Sequence, residues 1–139
     1  MAGPTPTADT SQTATLDRID VAVPLRAEFA SILRTLAASV GAEAGLSVDE
    51  LDDLRLALSE IFAVLAGTGP TQARALVSIE LAPGELLVTI RSDQDDVDYE
   101  LDELAASILR SVTDGHEVGP NSFTFSKRST DIVPGPAAS

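Results

Sequence analysis

Glu60 is the first residue whose type and setting could do chemistry. It follows Ser59 within Leu51-Asp-Asp-Leu-Arg-Leu-Ala-Leu-Ser-Glu-Ile-Phe-Ala-Val-Leu-Ala66, a stretch whose helical spacing puts its carboxylate one turn from Val64. A second candidate is the acidic run Asp93-Gln-Asp-Asp-Val-Asp98, which invites a calcium reading. An EF-hand loop wants glycine at its sixth position and glutamate at its twelfth, and those positions hold Asp98 and Leu104. A solvated acidic loop fits the run better than a metal site. His116 is the single histidine and has no spaced partner for a metal or a triad. Ser59 and Ser107 likewise lack a recognisable base. Among cations, Arg26 and Arg34 stand out, because they face only Glu28 in a chain of 22 acidic and 9 basic residues. An arginine fork pairs bidentately with carboxylates and often anchors protein interfaces.

These residues need elements to hold them. Ser47-Val-Asp-Glu50 reads as a capping box, with Ser47 as N-cap and Glu50 reaching back. Leu51, Leu54, Leu58, Ile61, Phe62 and Leu65 then recur at helical spacing and predict the buried stripe. Leu56, Ala57, Glu60 and Val64 form a second face, on which Glu60 and Val64 stack one turn apart. Ahead of this helix, Ile19, Val21 and Val23 alternate as a short strand ending at Pro24. Phe29, Ile32, Leu33, Leu36 and Val40 predict a first helix closed by Gly41 or Gly45, with Arg34 pointing off its stripe to solvent. Downstream, Leu76 to Leu81 and Glu85 to Ile90 are strands joined around Pro83-Gly84, a hairpin signal. Leu101, Leu104, Ala105, Ile108 and Val112 predict a third helix ending at Gly115. His116 falls in a turn, and Phe123 and Phe125 alternate in a last strand.

The order β-α-α-β-β-α-β predicts an α+β fold, a two-layer sandwich of helices on one face of a mixed, largely antiparallel sheet. Residues 1–15, rich in Thr, Ala and Pro, read as a disordered arm, 16–130 as the domain and 131–139 as a loose tail. A chain of 139 residues is long enough for one core, and aromatics at 4% leave that core to Leu, Ile, Val and Ala. The absence of cysteine excludes disulfides and thiolate metal sites. No apolar run approaches a membrane span, and the first residues lack signal-peptide regions, so the expected location is the cytoplasm. A net charge of −13 argues against direct nucleic-acid binding. It suits solubility, or encounter with a basic protein partner.

The segment Leu54-Arg-Leu-Ala-Leu-Ser-Glu-Ile-Phe-Ala-Val-Leu65 resembles a helix of the bacterial anti-sigma factor and serine-protein kinase family, within the histidine-kinase-like ATPase superfamily. There the helix reads roughly L-x-x-x-V-S-E-A-x-x-N-A, so the apolar frame and Ser59-Glu60 are kept. The family asparagine that helps hold Mg²⁺ falls on Val64, which has no lone pair to offer. The family's adenine-gripping aspartate in D-x-G-x-G would be Asp93, but Gln94, Asp95 and Asp96 replace the flexible glycine part. Leu101-Asp-Glu-Leu-Ala-Ala-Ser-Ile-Leu109 stands where a glycine-rich, phosphate-receiving turn belongs, and its acidic start suits helix capping instead.

The resemblance therefore implies a shortened ATPase-type fold whose use is binding. Family members dimerise and hold a sigma factor away from RNA polymerase. Alignment on Ser59-Glu60 puts Arg34 on a first-helix arginine that some members use against the sigma factor. The expectation is an anti-sigma-type regulator acting by stoichiometric binding, with Mg·ATP binding reduced or lost and Glu60 a relic of the kinase base. Two alternatives stay open: a serine kinase phosphorylating an anti-anti-sigma factor with Mg·ATP, and a dimeric binding module of the same fold without a sigma factor.

Overall fold

A computed structural model describes residues 17–68, 72–94, 101–119 and 122–130 of the chain. The expected arm and tail, and positions 95–98 of the acidic run, lie outside the described residues. Strand β1 (Asp17–Pro24) leads through a 3₁₀ turn at Ala27–Phe29 into helix α1 (Ala30–Ala44). Helix α2 (Val48–Thr68), strands β2 (Arg74–Ala82) and β3 (Glu85–Ser92), helix α3 (Glu103–Val112), and strands β4 (Gly115–Val118) and β5 (Ser122–Arg128) follow. The five strands form one sheet in the order β1-β2-β3-β5-β4. Every neighbouring pair is antiparallel.

Two expectations are corrected here. The sheet is antiparallel throughout the described residues rather than mixed. A fifth strand, β4, also appears where His116 was expected in a turn. Gly-His-Glu-Val is too short to announce itself by alternation, and it exists because β5 offers it a free edge, pairing His116 with Phe125 and Val118 with Phe123.

Strand alternation builds the core. Across the sheet, Val21, Val77, Ile90 and Phe123 share one row, and Ile19, Ile79, Val88 and Phe125 the next. These rows face the helices, and Ile79, Val88 and Ile90 are fully buried. The hairpin between β2 and β3 turns at Pro83-Gly84, where Gly84 takes φ 76°, a left-handed conformation that a side chain would strain. On α2, Leu54, Leu58, Ile61, Phe62 and Leu65 are buried as their spacing requires, with Leu51 half-buried beside them.

The other helices are rotated relative to the expected stripes. In α1 the buried positions are Leu33, Ala37, Val40, Gly41 and Ala44, and Ile32 is 56% exposed. The small residues decide the rotation: α1 presses Gly41 and Ala44 inward, and a Cβ on Gly41 would lie 2.7 Å from Leu51 Cδ2. Gly45, at φ 96°, ends this helix as its C-cap. In α3, Ala105, Leu109 and Val112 are buried while Leu104 is 69% exposed, again because an alanine holds the inward position.

Candidate functional site

The capping box of α2 is formed and does more than its pattern announced. Ser47 N–H donates to Glu50 Oε1 at 2.7 Å, and Glu50 N–H donates to Ser47 Oγ at 3.2 Å. The second carboxylate oxygen, Oε2, accepts from Thr130 N–H and from Thr130 Oγ1, each at 2.7 Å. Burial pushes the Glu50 carboxyl up, but these hydrogen bonds, led by the Ser47 and Thr130 backbone donors, outweigh it and hold the group at about 2. Nearby, Lys127, the only lysine of the chain, is buried with its Nζ 3.0 Å from Asp53 Oδ2. Gly84 N–H donates to Ala44 O at 2.7 Å, and Ser129 N–H donates to Gly84 O at 2.8 Å. The start of α2, the end of β5, the hairpin tip and the end of α1 are thus tied at one corner.

Glu60 and Val64 sit half-buried on the same side of α2. Beside them, Arg34 is not free in solvent as its position suggested. It is half-buried between α1 and α2, and its Nη1 donates to Ser59 Oγ at 3.3 Å. Helix packing explains the difference, because the inward rotation of α1 about Gly41 carries Arg34 toward α2. Among the described residues no carboxylate lies within 4.0 Å of its guanidinium. Arg26 is exposed and locally engaged, with Nε 3.2 Å from Glu28 Oε2 and its guanidinium carbon 4.9 Å from the Phe29 ring centroid.

Asp93 closes the far end of the β2–β3 pair. Its Oδ1 accepts from Arg74 N–H at 2.9 Å and from Gln94 Nε2 at 3.1 Å, while Asp93 N–H donates to Arg74 O at 2.9 Å. The Arg74 backbone donor, then the Gln94 amide, hold its carboxyl below the usual range. Its other oxygen, Oδ2, lies 3.6 Å from Arg74 Nε in an ion pair. At α3, Asp102 Oδ1 accepts from Ala105 N–H at 2.7 Å, so this acidic turn caps its own helix.

Two concavities lie among the described residues. The larger, about 590 Å³, lies on the helix-free face of the sheet among Arg18, Asp20, Ser78, Glu80, Thr89 and Arg91. It contains none of the residues expected from sequence to act. The smaller, about 360 Å³, is a shallow, apolar depression on α1 lined by Ser31, Ile32, Thr35 and Leu36. Among the described residues no group of three His, Cys, Asp or Glu side chains converges to hold a metal. Nor is any described helix long and apolar enough to cross a membrane.

The sequence reading missed three features of this surface. Thr130 as the partner of Glu50 and Asp53 as the partner of Lys127 lie 80 and 74 residues away in sequence, and no local pattern signals such pairs. Ile32, which its spacing assigns to the buried stripe, is exposed. No family model and no curated protein matches the chain.

Proposed function

We propose that this chain is an anti-sigma-factor-type regulator of the cytoplasm, acting by stoichiometric binding of a sigma factor with nucleotide chemistry reduced or lost. The observation that carries the reading is the outward face of α1. Ile32 and Leu36 flank one side of that face, and Arg34 flanks the other, roughly 160–200° around the helix at 100° per residue. A partner segment lying across α1 would cover the apolar pair and offer a carboxylate to a guanidinium that has none within 4.0 Å among the described residues. An apolar anchor beside a half-buried arginine is a combination that concentrates binding energy in interfaces. Val64 and the engaged carboxylate of Asp93 support the loss of nucleotide chemistry.

A second copy of the chain is the proposed partner at β1. Among the described residues this strand is an open edge of the sheet, and its inner row, Ile19 and Val21, is half-buried. Antiparallel pairing about Val21 would set Ile19 against the other copy's Val23 and keep the apolar row continuous. A register centred on Asp20 would oppose two carboxylates, which disfavours it.

The test is direct titration of purified sigma factor, identified by affinity capture, against wild type and Arg34→Glu. Loss of binding in the variant supports the reading. Capture that recovers no sigma factor favours the dimeric binding module, and a saturable effect of Mg·ATP favours the kinase.

A further inference from the structure

The nine basic residues of the chain include one adjacent pair, Lys127-Arg128, and it stands directly before Ser129-Thr130. The four residues differ in access. Lys127 and Ser129 are buried, the first held by Asp53, while Arg128 and Thr130 are exposed. An exposed hydroxyl two residues after an exposed arginine is the acceptor chemistry that arginine-directed protein kinases use. Thr130 is also the residue whose N–H and Oγ1 both bind Glu50 Oε2. We propose that Thr130 is a phosphorylation site, and that its modification unlatches the end of β5 from the first turn of α2. The inference does not rest on the sigma-factor reading.

In the transfer, Thr130 Oγ1 attacks the γ-phosphorus of a nucleoside triphosphate bound to the modifying kinase. An Oγ1–P bond forms, the bond from that phosphorus to the β-phosphate oxygen breaks, and the nucleoside diphosphate leaves. The hydroxyl proton passes to the base of the modifying kinase. The product ester has no proton to donate to Glu50, so one bond of the latch is lost outright. In its place stands a charge of about −1.5 to −2 against an ionised carboxylate.

Among the described residues, the groups near Thr130 do not offset this charge. Asp49 and Glu50 occupy the first turn of α2, Lys127 is committed to Asp53, and Arg128 Nε already lies 3.5 Å from Glu85. A phosphate gains from a helix N-terminus, but here the carboxylates of Asp49 and Glu50 in the first turn already answer the positive end of α2. Repulsion therefore moves Thr130 away, and the neighbouring Ser129 bond to Gly84 loosens with it.

The experiment incubates the full chain with a purified arginine-directed serine/threonine kinase and Mg·ATP, and locates phosphate by peptide mass spectrometry. One phosphate is expected on Thr130, with incorporation about tenfold slower in Arg128→Ala, which removes a charged recognition contact. The phosphorylated chain should melt about 4 °C or more below the unmodified one. Amide exchange from Ser47 to Leu51 and at Ser129 should rise about tenfold. Thr130→Val, which deletes the hydroxyl without adding charge, should melt between the two. Phosphate found only at other residues, none at all, or phospho-Thr130 with unchanged melting and exchange would each overturn the proposal.

Discussion

Glu50→Gln is the most informative single substitution in this molecule, because one carboxylate serves both a helix cap and a tertiary tie. The wild-type group accepts from Ser47 N–H on one oxygen and from both Thr130 donors on the other. An amide keeps the shape but must turn its NH₂ toward one of these donor sets, breaking at least one bond and opposing donor to donor. The pH dependence gives an independent scale. The folded carboxyl is held at about 2 against an ordinary value of 4.5. Full conversion of that difference is about 3 kcal/mol, and solvent screening at this corner reduces it to about 2 kcal/mol. Because the folded value is depressed, the stabilisation is complete above the ordinary value and is lost as pH falls toward the folded one. Wild type should thus exceed Glu50→Gln by about 2 kcal/mol at neutral pH, and by roughly half that near pH ~3.5. Urea unfolding of both proteins across this range, with equal m-values as the check on two-state behaviour, measures it. A gap that stays constant as pH falls would refute the reasoning, since the amide cannot titrate.

Other outcomes follow from the same contacts. Gly41→Ala should destabilise by about 1–3 kcal/mol in chemical denaturation despite the better helix former, because its methyl would meet Leu51 Cδ2 at 2.7 Å and Leu54 Cδ2 at 3.2 Å. Mg·ATP at a hundredfold excess over a working Kd would add about 2.7 kcal/mol of stability, so a melting curve unchanged by ATP or ADP is expected, and Val64→Asn alone should not alter that. Arg34→Glu should cost about 2 kcal/mol or more of partner affinity in calorimetry, while Arg110→Glu, on the exposed side of α3, should cost little. Sedimentation of Val21→Lys should show loss of any self-association that wild type displays, and salt should tighten the wild-type association by screening its −13 charge.

What the sequence disclosed depended on how local the cause was. The capping box at Ser47 and Glu50, the glycine turn at Gly84, and the alternation of Phe123 and Phe125 are short-range patterns, and each formed where its residues predicted. The stripe of α2 was legible for the same reason, because six large apolar side chains leave one way to face a core. In α1 the inward positions belong to Ala37, Gly41 and Ala44, which hydropathy weighs lightly, and so Ile32 was placed on the wrong side. Close approach at Gly41 outweighed the burial of one isoleucine. The β4 strand was illegible because four residues acquire strand geometry only from a partner already in place.

The candidate site divides along the same line. Glu60 and Val64 could be placed on one side of α2 from their spacing alone. The position of Arg34 could not, since it depends on how closely two helices approach, and that is set by a glycine seven residues further on. The approach bears on the proposed binding role because it leaves Arg34 half-buried rather than freely hydrated. A hydrated arginine gains little from a new carboxylate, as exposed ion pairs contribute at most about 1 kcal/mol. One that is already half-buried, with no carboxylate within 4.0 Å among the described residues and one arm on Ser59, has lost part of its water and part of its rotamer freedom before any partner arrives. Under the proposed reading, the packing that half-buries Arg34 would make it a better anchor for a partner carboxylate than a fully hydrated arginine.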